Sequence, residues 1–165
     1  MKTKNNASGF ALIEVLLAVV VLAIGLLAGS RMQILGLNFT QGALSRSHAA
    51  MAANDIIDRM RLNVPGVLNN DYDGVDTRTL PNNPNCLNTG CTSAQLAQTD
   101  IFMWGSYFGL GDGTGTSVQL PPDSFGLITG PDANGVMTVR IEWNDLIQGT
   151  EENRNVEIDV VINRS

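Results

Sequence analysis

Four groups of residues in this chain have types and spacings that could do chemistry. The first is a lone carboxylate. Residues 10–29 form an apolar run of twenty residues in which Glu14 is the only charge. A carboxylate at the centre of a membrane span costs roughly 2.5–3.5 kcal/mol on insertion scales. Glu14 stands near the start of the run, so its cost is smaller, but it still calls for a partner. The second group is Cys86 and Cys91, in Cys-Leu-Asn-Thr-Gly-Cys. With one histidine, His48, they cannot supply the four ligands of a structural zinc without distant carboxylates. A disulfide closing the small loop is the better use if the segment reaches an oxidising compartment.

The third group is His48 with Ser45, Ser47 and Asp55. A hydrolytic triad needs its members to converge from separate elements. Neighbours along one helix do not converge, so His48 reads as a solvated helix residue. A membrane-anchored periplasmic enzyme is therefore the disfavoured alternative. The fourth group is Asn69, Asp71, Asp73 and Gly74, which open like a calcium-binding EF-hand loop. The match fails at its twelfth position, where Leu80 replaces the bidentate Glu, so the reading is a polar turn. Gly109, Gly111, Gly113 and Gly115 form no phosphate loop, because no Lys follows them. No metal and no cofactor is expected.

The elements that must position these residues follow from composition and periodicity. The 165 residues suit one ordinary domain beyond the apolar run. Both Lys residues, Lys2 and Lys4, precede the run. Loss of residues 1–9 would take the net charge from −6 to −8. The Arg residues are scattered, so nucleic acid is not an expected partner. As a helix, residues 10–29 would span about 30 Å, the thickness of a bilayer core. The two Lys residues would hold the N-terminus in the cytoplasm and send the rest across. A secretory signal peptide is a poorer fit, because the run is long and no clean cleavage site follows. A plain signal anchor gives no reason for Glu14.

After Gly29 the pattern turns amphipathic, with Met32, Leu35 and Phe39, then Ala49, Ala53, Ile56 and Met60, at helical spacing. This stripe is expected to pack on the protein's own sheet, with contact to partner subunits as the alternative. Asn63-Val64-Pro65-Gly66 ends the helix. The whole, residues 10–62, would be on the order of 80 Å long. Residues 64–100 hold four Asp, six Asn and three Pro and read as loop. Residues 101–108 concentrate aromatic weight and read as core or interface. Residues 136–143 and 155–162 alternate as two antiparallel strands, joined by a polar, turn-like stretch from Asn144 to Arg154. Residues 125–129 are a candidate third strand. One helix followed by strands gives an α+β class.

Gly9-Phe10-Ala11-Leu12-Ile13-Glu14-Val15-Leu16 closely resembles the type IV prepilin motif, Gly-Phe-x-Leu-Ile-Glu followed by an apolar stretch. The resemblance implies the type IV pilin fold, a long N-terminal α-helix packed on a small antiparallel β-sheet. It implies cleavage by prepilin peptidase between Gly9 and Phe10, and N-methylation of Phe10. It also implies that Glu14 pairs with the amine at Phe10 of a neighbouring subunit. The expected domains are a leader at 1–9, a transmembrane and assembly helix at 10–29, its amphipathic continuation at 30–63, and a periplasmic β-rich domain at 64–165. Before assembly the chain would cross the inner membrane once, and afterwards it would lie in the pilus.

Within the family, Val19 to Leu27 and the late Thr-Val-Arg-Ile-Glu-Trp-Asn-Asp (138–145) resemble the minor pilins of the type IV pilus modification group, PilV. Arg31 stands where major pilins often carry Pro, and the close cysteines differ from their large C-terminal disulfide loop. Residues 64–130 are not covered by the resemblance. It implies other minor pilins, the major pilin, prepilin peptidase and a PilY-type tip adhesin as partners. A minor pseudopilin of type II secretion has a similar N-terminus and is the alternative.

Overall fold

The computed structural model describes residues 8–110, 120–147 and 150–162. The chain divides into two compact units, Met1–Thr40 and Gln41–Ser165. Helix α1 runs from Ser8 to Leu62. In the first unit its described side chains are almost all exposed. Met32 and Phe39 are 80% and 70% exposed, so this part of the expected stripe is left uncovered within its own unit. Helical spacing identifies an apolar face but not what covers it.

In the second unit the stripe behaves as expected. Ala49, Ala53, Ile56 and Met60 are fully buried, joined by Ala52 and Ile57. Asn63 N–H donates to the carbonyls of Arg59 and Met60, closing the last turn. Arg59 and Arg61 sit in that turn, where a helix C-terminus favours cations.

The sheet has four antiparallel strands in the order β1-β2-β3-β4: Val75–Asp76, Phe125–Thr129, Val136–Ile147 and Thr150–Val161. Met137, Val139, Ile141 and Trp143 of β3 alternate into the core, as the sequence pattern predicts. This is the α+β architecture expected, a long N-terminal helix on a small antiparallel sheet.

Two readings need correction. The stretch Asn144 to Arg154 is not a turn. Asn144 pairs with Asn153, Asp145 with Glu152, Leu146 with Glu151 and Ile147 with Thr150. Its polarity reports exposure, as at Asn144 and from Thr150 to Arg154, and not a break in pairing. Nor is 64–100 all loop. Helix α2 spans Val64–Leu68, and Pro65 serves its first turn, where the missing N–H costs nothing. Helix α3 spans Ser93–Trp104 and runs into a 3-10 turn over Gly105–Phe108. The glycine-rich residues 111–119 lie outside the described set.

Candidate functional site

The residues singled out at the N-terminus lie on the first turns of α1. The backbone at Gly9 and Phe10 is helical, and their side chains lie outside the described residues, as does most of the leader. Glu14 is exposed. Helical spacing places it on one face with Leu17, Ala18 and Val21. Around it, Leu12, Ile13, Val15, Leu16, Val20 and Leu22 are each 55–70% exposed. A soluble surface rarely carries so dense an apolar stretch; lipid or neighbouring helices normally cover one. Among the described residues, one helix is long and apolar enough to cross a membrane. Chemically, this surface offers a single acceptor in an apolar field. Such a group attracts one cation strongly and discriminates by position.

The second unit holds a buried polar network where α1, α3 and the loop after α2 meet. Arg59 Nε lies 2.9 Å from Asp55 Oδ2, and its Nη1 lies 3.4 Å from Asp100 Oδ1. Tyr72, fully buried, donates from Oη to Asp100 Oδ2 at 2.6 Å. Asn63 Nδ2 donates to Tyr72 Oη at 3.1 Å and to the Ser93 carbonyl at 2.8 Å. Burial raises the Asp100 carboxyl above the ordinary range, against the lowering effect of the Tyr72 bond and the Arg59 charge. Burial also raises the Tyr72 hydroxyl, and its bond to Asp100 adds to that. For Arg59, burial opposes the charge, but the bond and charge of Asp55, then Asp100, outweigh it and the pKa is raised. Every member has a partner, so the network serves to lock α3 onto the end of α1.

Trp104 makes the other lock. Its ring N–H donates to the Ala52 carbonyl at 2.9 Å, and its ring meets Phe108 edge-on at 5.2 Å. Gly126 of β2 lies beneath these rings, where any Cβ would overlap them. Residues 101–108 thus supply core, as their aromatic content predicts.

The remaining candidates separate. Cys86 and Cys91 are joined in a disulfide with Cα atoms 5.1 Å apart. Cys86 is buried against Thr99 of α3. Asp73 accepts the Gly130 N–H at 2.8 Å, which ties its loop to the end of β2. Leu80 packs at the core margin. The hydroxyls of Ser45 and Ser47 bond their own helix, at the carbonyls of Gln41 and Ala43. His48 is half-buried rather than fully solvated.

Sequence reasoning missed α3 and the network it completes. The signal was present as Thr92-Ser-Ala-Gln95, a capping box. Gln95 N–H donates to Thr92 Oγ1 at 3.2 Å, and Thr92 N–H donates to Gln95 Oε1 at 3.0 Å. Asp100 and Tyr72 carried no such signal, because only the fold brings them together.

Comparison with known proteins adds to this geometry. Residues 31–102 match the family model Tt1218-like, described as Type IV pilin Tt1218. Residues 4–30 match the prokaryotic N-terminal methylation motif. No curated protein and no solved structure matches. Residues 31–102 are thus similar to a type IV pilin segment, and the residues before them to an N-terminal methylation motif. Both matches support a pilin role, which points to a structural protein rather than an enzyme. With the apolar helix, the motif suggests membrane anchoring and pilus assembly. A pilin role implies processing by prepilin peptidase and assembly with other pilins.

Proposed function

We propose that this protein is a minor pilin of the type IV pilus, of the PilV kind. Prepilin peptidase cuts it between Gly9 and Phe10 and methylates Phe10. The chain then waits in the inner membrane, N-terminus in the cytoplasm and second unit in the periplasm, until it enters a minor-pilin complex. That complex primes pilus assembly, carries a PilY-type adhesin at its tip, and supports adhesion and twitching motility. The observation that carries this reading is Glu14. It is a single exposed carboxylate in an apolar helix surface, four residues after Phe10. A carboxylate there is costly in lipid unless a cation meets it. The new amine at Phe10 of a neighbouring subunit is that cation. The choice of the PilV kind rests on residues 138–145 and on the close Cys86–Cys91 pair.

Mass spectrometry of the N-terminus from cells tests the processing step. The expected species begins at a methylated Phe10. An intact leader, or cleavage near residue 30, sinks the proposal. The same N-terminal motif supports a minor pseudopilin of type II secretion. Deletion separates the two: loss of surface pili and twitching favours the first, and loss of secreted enzymes with intact pili favours the second.

A further inference from the structure

We propose that the free edge of β4 takes up an extended segment of a partner protein in which apolar and basic side chains alternate. Strand β4 is twelve residues long and pairs with β3 along its whole length. Among the described residues, no strand pairs with its other edge. Alternate N–H and C=O groups of an edge strand point outward and can template another strand.

The apolar layer under the sheet stops half-finished at this edge. On β3, Met137, Val139 and Ile141 are fully buried. Their partners across the ladder are Val160, Ile158 and Val156. These three face the same layer, yet they are only half-buried. One more strand laid along β4 would continue the layer and cover them. The side chains it contributes to that face must be apolar.

The charges say what the other face must be. Between Thr150 and Val161 the strand carries Glu151, Glu152, Glu157 and Asp159 against one base, Arg154. Glu157 and Asp159 alternate with the half-buried residues and are exposed. On their own sheet Glu157 lies 3.7 Å from Arg140 and Asp159 accepts from Thr138 at 2.7 Å, which leaves one Asp159 oxygen and most of Glu157 open to a neighbour. Two copies of β4 edge to edge would bring eight carboxylates together with two guanidiniums. Like charges on facing strands oppose pairing, so the edge is protected against its own kind and left open to a basic strand. Strand addition of this type takes affinity from the main chain and specificity from alternate side chains.

The test uses the full mature chain in detergent. One probe is a short peptide alternating valine and lysine; the other has the same residues in two blocks. Binding is read by fluorescence anisotropy and by amide hydrogen exchange along β4. The expected result is saturable binding of the alternating peptide, with new protection at alternate amides between residues 155 and 161. The double variant Glu157→Lys/Asp159→Lys is expected to bind about tenfold more weakly, two cross-strand pairs having changed sign. Absence of saturable binding overturns the proposal. So does equal binding of the block peptide without β4 protection, which is plain charge attraction, and so does self-association through β4. If the variant fails to fold, the wild-type exchange pattern decides alone. Failure here leaves processing at Gly9 untouched, because the edge is argued from the sheet and not from the pilin reading.

Discussion

Asp132 accepts two backbone N–H bonds, from Asn134 and Val136, each at 2.8 Å, and so closes the turn between β2 and β3. The turn also needs Gly135 in the left-handed region, at φ 78°. The bond from Val136, then that from Asn134, hold the Asp132 carboxyl below its ordinary pKa. The sign follows from linkage. A depressed folded pKa means the contribution is present above the ordinary carboxylate range and is lost as pH falls through the lowered folded value. Asp132→Ala is therefore expected to lower the thermal midpoint at neutral pH. The gap from wild type should narrow in acid, as wild type loses the same bonds. Circular dichroism melts at neutral and acidic pH check this; a gap that is constant with pH contradicts it. A Cβ at Gly42 would stand 3.4 Å from Asp145 Oδ2, an ordinary contact, so Gly42 carries no comparable constraint.

At the scale of elements, α3 depends on its first turn. Thr92 and Gln95 satisfy each other's backbone N–H groups, and Cys91 anchors the residue before the cap. Thr92→Ala is expected to cost about 1 kcal/mol, the usual value for a lost N-cap. Denaturant unfolding of the two proteins measures it, and a change within error would mean the disulfide alone sets the helix start. The same element shows where sequence reasoning succeeds and fails. Strands β2 and β3 and the buried half of α1 are legible because one face of each is covered, so burial prints a period of two or 3.6. Helix α3 hides among Asn and Pro because only Ala97, Ile101 and Trp104 supply its apolar seam, and its cap was the better signal. Strand β1 is illegible in principle: Val75 and Asp76 are a strand only because Ile128 and Leu127 lie beside them. The β3–β4 ribbon was misread because polar residues mark exposure as readily as turns. The N-terminal motif was legible as chemistry, since one charge in twenty apolar residues stands out against any background. The Arg59–Asp100–Tyr72 network was not, because its members are 13 to 41 positions apart in sequence.

For the whole molecule, the proposed function sets one chain two surroundings, the membrane and the filament. In the membrane, Glu14 is a cost. In the proposed filament, pairing with the Phe10 amine of a neighbour would turn that cost into register. Two unit charges in contact, at an effective dielectric near 20, attract by about 4 kcal/mol, and a subunit displaced by one helical turn forfeits this. Glu14→Ala removes the cost in lipid and the gain in the filament together. Membrane insertion is therefore expected to be unchanged, while incorporation into pili falls sharply, read as the ratio of sheared-pilus to membrane-bound protein on immunoblots. Glu14→Gln keeps a hydrogen-bonding group without the charge and should fall between the two. Mass spectrometry of Phe10 in the same samples separates the steps, because a variant that is cleaved and methylated yet left behind has lost assembly and not processing. Equal incorporation of Glu14→Ala would remove the pairing role and leave Glu14 as a residue that merely reaches the headgroups.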